Sequence, residues 1–263
     1  MPRYLFPILV LWSFTGCSDV FDVTPYDTAT ISSPSGLTDR NINLWRERVA
    51  GLDGAMTIAF TSDPHFYYGD LGDVIEHINN DVSVEAIIVP GDLTDQGLLG
   101  EYELFTNVME RSRHPWIATI GNHDHLSNGR QIYEQMFGAR NFFVDLRGHR
   151  FIFFDNTVWE SQLEPELEWL SATLASSGEL RPILIAHIPF NDQQLENGIG
   201  NAIRGLLAQH GSKLFIAGHV HGFSYNSHYG DGIRYVTVPW PREREYVKLV
   251  LNGDEMHVQL VSL

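Results

Sequence analysis

The chain has 263 residues, 43% of them hydrophobic, which is enough apolar content for a sizeable core and excludes wholesale disorder. Its 33 Asp and Glu against 17 Lys and Arg leave a net charge of −16. That balance excludes a basic nucleic-acid surface but not a small phosphorylated substrate held by a metal centre. A single cysteine, Cys17, excludes any intramolecular disulfide.

The chain opens with Arg3, then an uncharged, mostly apolar run from Tyr4 to Phe14, then Thr15-Gly16-Cys17. A basic start, a short apolar run and small residues before a cleavage point form the pattern of a secretory signal. The run is too short to cross a bilayer as a helix, which takes about 20 residues. The Phe-Thr-Gly-Cys ending resembles a bacterial lipobox. This implies a signal peptide over residues 1–16, lipidation of Cys17 and a membrane as partner. Ser18 resembles the choice made for outer-membrane sorting, which implies a lipid-anchored place in the bacterial cell envelope, facing the periplasm. An ordinary cleaved signal and an apolar first element of the domain are the alternatives.

From Ser18 to Gly36 the chain is polar and contains Pro25 and Pro34, which predicts a tether. Thr38 or Asp39 caps a predicted helix over Arg40–Val49, whose Ile42, Trp45 and Val49 share one face that docks on the domain. Residues 17–50 are therefore tether and docking helix, and 51–263 form one domain without internal repeats. Within it, strand Met56–Ser62 is followed by helix Gly69–Asn80, strand Glu85–Pro90, helix Gly97–Arg111, strand Trp116–Ile120 and helix Arg130–Phe137. Strands Asn141–Leu146 and His149–Asp155 come next. Helix Pro165–Ser176, strand Pro182–Ala186, helix Ala202–His210 and strand Lys213–Ala217 complete the alternating part. The last runs read as hairpins: Phe223–His228 with Ile233–Val238 around Tyr229-Gly230-Asp231-Gly232, and Tyr246–Leu251 with Met256–Val261 around Asn252-Gly253-Asp254. Strands alternating with helices, then a strand-rich end, predict α/β layers with one mixed sheet or two stacked sheets.

Polar residues gather where five of these strands end. Met56–Ser62 leads into Asp63-Pro64-His65, Glu85–Pro90 into Gly91-Asp92-Leu93-Thr94-Asp95, and Trp116–Ile120 into Gly121-Asn122-His123-Asp124. Pro182–Ala186 leads into His187, and Lys213–Ala217 into Gly218-His219-Val220-His221. In a sheet flanked by helices, ligands bind beyond the carboxyl ends of the strands, so these five ends predict one crevice. Carboxylate and imidazole without thiolate suit Mn, Fe or Zn. In Asp63-x-His65 and His219-x-His221, alternate residues of an extended segment project to one side and can serve one cluster.

In this order the five blocks resemble the calcineurin-like metallophosphoesterases, and their Gly-Asn-His-Asp block is similar to that of the cyclic-nucleotide phosphodiesterase branch. The resemblance implies a four-layer α-β-β-α sandwich with two mixed β-sheets. It implies two divalent ions, the first held by Asp63, His65, Asp92 and His221, the second by Asp92, Asn122, His187 and His219. It places His123 beside the substrate as a proton donor, with Asp95 orienting it. It also implies attack by a metal-bridging hydroxide on a small phosphomonoester or phosphodiester. His125 and Arg130 are candidates for contacts to phosphate or leaving group, with surface roles as the alternative. Tyr67, Tyr68, Trp159 and Phe190 are candidate pocket walls, with core packing as the alternative. Two other functions compete: a phospholipid or lipid-linked headgroup hydrolase, and a metal-binding scaffold without turnover. No feature of the sequence indicates an oligomeric state.

Overall fold

In the computed structural model, which describes residues 34–196 and 198–263, the apolar runs become the strands of two sheets. The expected signal segment, Cys17 and most of the tether lie outside the described residues. In chain order the elements are α1 (Leu37–Val49), β1 (Met56–Phe60), α2 (Tyr68–Asn79), β2 (Ala86–Val89), α3 (Leu99–Met109), β3 (Trp116–Ala118) and α4 (Gly129–Met136). There follow β4 (Phe142–Leu146), β5 (His149–Phe153), α5 (Leu167–Ala175), β6 (Arg181–Ile185), α6 (Ile199–Gln209) and β7 (Leu214–Ala217). The chain ends in β8 (Ser224–Asn226), β9 (Arg234–Thr237), β10 (Glu245–Asn252) and β11 (Glu255–Ser262).

The first sheet has the order β11-β10-β1-β2-β3 and the second β4-β5-β6-β7-β9-β8. Both are mixed. In the first, β1, β2 and β3 run parallel and the β10–β11 hairpin adds antiparallel strands, with Ile58 of β1 opposite Leu249 of β10 and Ala86 of β2. In the second, β5, β6, β7 and β9 run parallel between antiparallel β4 and β8.

Alternation along the strands builds the layers, because successive side chains leave opposite faces. Ile58 and Phe60 of β1 and Ile183 and Ile185 of β6 enter the core between the sheets. Ala59 of β1 and Leu184 of β6 face outward instead. Over the first sheet the outer layer is α2, α3 and α4, whose Leu71, Val74, Ile75 and Ile78 recur at helical spacing along α2. Over the second it is α5 and α6, through Leu170, Leu174, Ile203 and Leu207. The fold is thus the four-layer α-β-β-α sandwich with two mixed sheets. Strands buried on both faces read as continuous apolar runs, which is why they stand out in the sequence.

Helix α1 joins this core at its edge. Ile42, Trp45 and Val49 belong to the cluster between the sheets, and the Trp45 ring lies 5.1 Å from that of Phe151. Asn41 Oδ1 accepts from the Trp116 N–H at 3.0 Å, so the helix also satisfies an amide of edge strand β3. The helix begins at Leu37 rather than Arg40, because Leu37 is buried and the Thr38 N–H donates to the Phe137 carbonyl beyond α4.

Candidate metal centre

The parallel strands of both sheets end at the same edge of the sandwich, and the five motif loops meet there. Nine non-glycine residues have positive φ among the described residues, and five of them are Asp63, His65, Asp92, His219 and His221. Side chains rarely adopt this backbone, and it collects at functional sites where surrounding structure over-determines it. Close approach of the loops needs glycine at two points. A Cβ on Gly121 would stand 2.1 Å from the Asp92 nitrogen, and one on Gly218 would stand 2.6 Å from Asp63 Oδ2.

The nitrogen and oxygen atoms converge in two groups. In the first, His65 Nε2 lies 3.2 Å from His221 Nε2, which lies 3.7 Å from Asp63 Oδ1. In the second, Asn122 Oδ1 lies 3.0 Å from His187 Nε2 and 3.1 Å from His219 Nδ1. Asp92 Oδ2 borders both, 3.7 Å from His65 Nε2 and 3.2 Å from His187 Nε2. Ligand atoms about 2.0–2.2 Å from a shared ion stand roughly 3–3.5 Å apart, so this spacing fits an ion in each group. The donor set, imidazole and carboxylate with one amide, fits Zn, Mn or Fe.

The other ends of these side chains are tied down. His187 Nδ1–H donates to the Pro90 carbonyl at 2.7 Å, which leaves Nε2 as the lone pair facing the cluster. Asp92 Oδ1 accepts from the His123 N–H at 2.8 Å, leaving Oδ2 for the two groups. Asp63 accepts from the His219 N–H at 2.9 Å through Oδ1. The His221 ring lies flat on Trp240, with centroids 4.3 Å apart. Asp124 stitches the second and third loops from below: its carboxylate accepts from the N–H groups of Leu93, Thr94 and Gly121 and from the Thr94 hydroxyl.

Burial makes these charges interdependent. Burial pushes the Asp63 carboxyl up to about 7, although His187 opposes it. Asp92 is equally buried, yet His187 beside it holds its carboxyl below the usual range. Burial disfavours a charged His187, but Asp92 and Asp63 raise it to about 10. Burial lowers His65 to about 4. Two buried carboxylates neutralised only by imidazole are the arrangement a divalent cation fits.

His123 stands outside both groups, with its side chain one-third exposed and its ring 4.6 Å from that of His65. Its Nδ1–H donates to the main-chain carbonyl of Asp95 at 2.8 Å, which leaves Nε2 as the ring nitrogen outside that bond. The Asp95 carboxylate is farther, 3.8 Å from His123 Nδ1 and 3.6 Å from His65 Nδ1. Asp95 therefore meets His123 chiefly through its backbone.

The candidates for substrate contact part company here. His125 is buried against Asp155 at 3.1 Å, within a pair that Arg140 completes, and does not face the crevice. Arg130 is partly exposed in the first turn of α4. Tyr68 packs against the outer core and donates to the Leu93 carbonyl, and Phe190 joins the core under α6. Tyr67 meets Trp240 edge-on at 5.2 Å, and Trp159 is exposed. Two residues of the site carry no sequence signal: Trp240, in an irregular segment after β9, and Asp192, whose Oδ2 lies 3.2 Å from His219 Nε2.

A family model described as calcineurin-like phosphoesterase matches residues 56–223, the stretch that carries all five motifs. A probable cyclic nucleotide phosphodiesterase of Xenorhabdus bovienii (strain SS-2004) is 42% identical over 50 residues, which are 19% of this chain and 20% of that protein. The chain thus spans about a fifth of the length of the curated relative it matches. Among solved structures, a purple acid phosphatase from yellow lupin seeds superposes with a TM-score of 0.61 at 12% identity, covering 81% of this chain and 52% of the other. GAP50, the anchor in the inner membrane complex of Plasmodium, gives 0.63 at 12% identity, covering 80% and 85%. At such identities these structures share the fold with this chain.

Proposed function

This chain belongs to the calcineurin-like phosphoesterase family, and from that premise we propose that it hydrolyses a phosphomonoester or phosphodiester at a centre of two divalent ions. Metal-dependent phosphoester hydrolysis is the family's chemistry. The observation that carries the dinuclear reading is the position of Asp92 Oδ2 between His65 Nε2 and His187 Nε2. In this reading Asp63, His65, Asp92 and His221 hold one ion, and Asp92, Asn122, His187 and His219 hold the other. When bound, such ions lower the pKa of a coordinated water and neutralise charge on phosphoryl oxygens.

The chain's own groups do the rest. His187 and Asp92 are locked by backbone partners, so the ligand atoms need little reorganisation on binding. In this reading His123 presents Nε2 to the crevice while Asp95 holds Nδ1–H, the geometry of a proton donor to a departing oxygen. Burial disfavours the protonated ring, yet Asp92 and the Asp95 carbonyl raise its pKa, which keeps a proton available for donation.

His123→Asn tests the reading. It is expected to retain both ions and to lose about 10²–10⁴-fold in kcat/KM on alkyl esters, whose alkoxide needs the proton. Nitrophenyl esters, whose leaving group departs unaided, should lose much less. Equal losses on both would make His123 an electrostatic or positioning group, and loss of metal would make it a ligand.

A further inference from the structure

At the end of the sandwich opposite the metal loops, where β6, β7 and β9 begin, lies a cavity of about 460 Å³. Small-molecule sites fall in this size range. Arg181 on its wall and His187 at the ligand groups lie six residues apart in the chain, a separation of roughly 20 Å along an extended strand. The wall draws on both sheets: β6, β7 and β9 on one side, and Gly253, Asp254 and Met256 of the β10–β11 hairpin on the other.

Three cations meet there, Arg181, Lys213 and Arg234. Strand register accounts for two of them. Arg234 stands opposite Leu214, and Arg181 lies two residues before Ile183; Leu214 and Ile183 both enter the core between the sheets. Alternate residues share a face, so both guanidinium groups continue core-facing rows to the open end of the sandwich. All three cationic residues are exposed, so a ligand can reach them.

A chance patch on a chain with 33 Asp and Glu against 17 Lys and Arg is expected to be acidic. Asp254 is the one carboxylate on this wall, and it pairs with Arg181. Lys213 and Arg234 form no ion pair among the described residues, which leaves two positive charges uncompensated. His149, on the same wall, feels the field: burial lowers its pKa, and Arg181 and Arg147 lower it further.

We infer that this cavity is a second ligand site, remote from the metal centre, for a small soluble molecule carrying a phosphate group. A phosphate monoester carries about two negative charges near neutral pH, which match the two uncompensated cations. Guanidinium forks meet pairs of phosphate oxygens, and the Lys213 ammonium adds donors from a third direction. The cations line a concavity instead of a flat face, which admits a small molecule and keeps a bilayer surface out. Gly211, Gly232 and Gly253 contribute only backbone to the wall, and a Cβ on any of them would meet nothing within 4 Å, which leaves room for the rest of the molecule.

This site is independent of the phosphoesterase reading, because its test needs no turnover. The zinc-loaded, isotope-labelled chain is titrated with phenylphosphonate, whose carbon–phosphorus bond is not hydrolysed, and its amide resonances are followed by NMR. Gly211, Gly232 and Gly253 report on the cavity, and Gly91, Gly121 and Gly218 on the metal loops. The cavity glycines are expected to shift saturably, with affinity about tenfold weaker in Lys213→Ala and in Arg234→Ala. The metal-loop glycines should respond alike in wild type and both variants. Cavity glycines that do not shift, or that shift with the same affinity in both variants, overturn the inference and leave the cations as solvated strand ends. Sedimentation with phosphatidic acid vesicles is the second arm. Wild type that sediments with the vesicles but shows no phosphonate shift at the cavity assigns the cations to a lipid surface and overturns it as well.

Discussion

His219 is held from two sides: Nδ1 faces Asn122, and Nε2 faces the Asp192 carboxylate at 3.2 Å. A carboxylate that accepts from the outer nitrogen of a ligating histidine fixes the ring's tautomer and orientation and raises its basicity. Asp192 is itself steadied, because its Oδ1 accepts from the Gln194 N–H. In the two-ion reading, Asp192→Ala is therefore expected to weaken the second ion by about 10–100-fold while leaving the first near its wild-type affinity. Metal titration by calorimetry measures both sites, and unchanged affinity for two ions would remove Asp192 from this role. Most of the Asp, Asn and His candidates were legible at this scale because they sit by a glycine or a paired ligand at a strand end, and His187 by its strand-end position alone. Asp192 was not, since it lies five residues past His187 and only the path of the chain returns it to His219.

Among the elements, α1 departs furthest from its sequence description. Its apolar face was visible in Ile42, Trp45 and Val49, but periodicity cannot distinguish docking on a surface from filling a core. Trp45 is fully buried between the sheets and packs on Phe151. Trp45→Ala should then cost about 3–5 kcal/mol of stability, as expected for a large aromatic removed from a close-packed core. Denaturant unfolding measures it, and a loss below about 1 kcal/mol would mean that the helix only rests on the domain. The strands were the most legible elements, because burial on both faces leaves unbroken apolar runs such as Ala86–Val89. The strand expected over Phe223–His228 shrinks to Ser224–Asn226, where pairing with β9 ends and an aromatic cavity begins.

At the scale of the whole molecule, the candidate metal centre joins the two sheets. Asp63, Asp92 and Asn122 come from ends of the first sheet's strands, and His187, His219 and His221 from the second. A cation bound by the folded chain alone stabilises it by RT ln(1 + [L]/Kd), about 2.7 kcal/mol at a hundredfold excess over Kd. Stripping metal with a chelator should accordingly lower the melting temperature by about 5–10 °C for a domain of this size. The drop should shrink at pH 5.5, because His187, whose pKa is raised by Asp92 and Asp63 against its burial, then holds its proton in competition with the ion. Calorimetric melting with and without chelator at two pH values checks both statements, and a melting temperature indifferent to metal would remove the cation from the fold's support.

The sequence by itself determined the layers and named the candidate ligands. Hydrophobic period and strand-end chemistry are local properties, and five short motifs in order constrain a fold strongly. Only the tertiary structure decided which atoms meet. It brought Asp92 within reach of both groups, turned His125 into the interior against Asp155, and met His123 with the Asp95 carbonyl instead of its carboxylate. Each of these depends on where the chain returns after tens of residues, and no local pattern encodes a distance between loops of two different sheets.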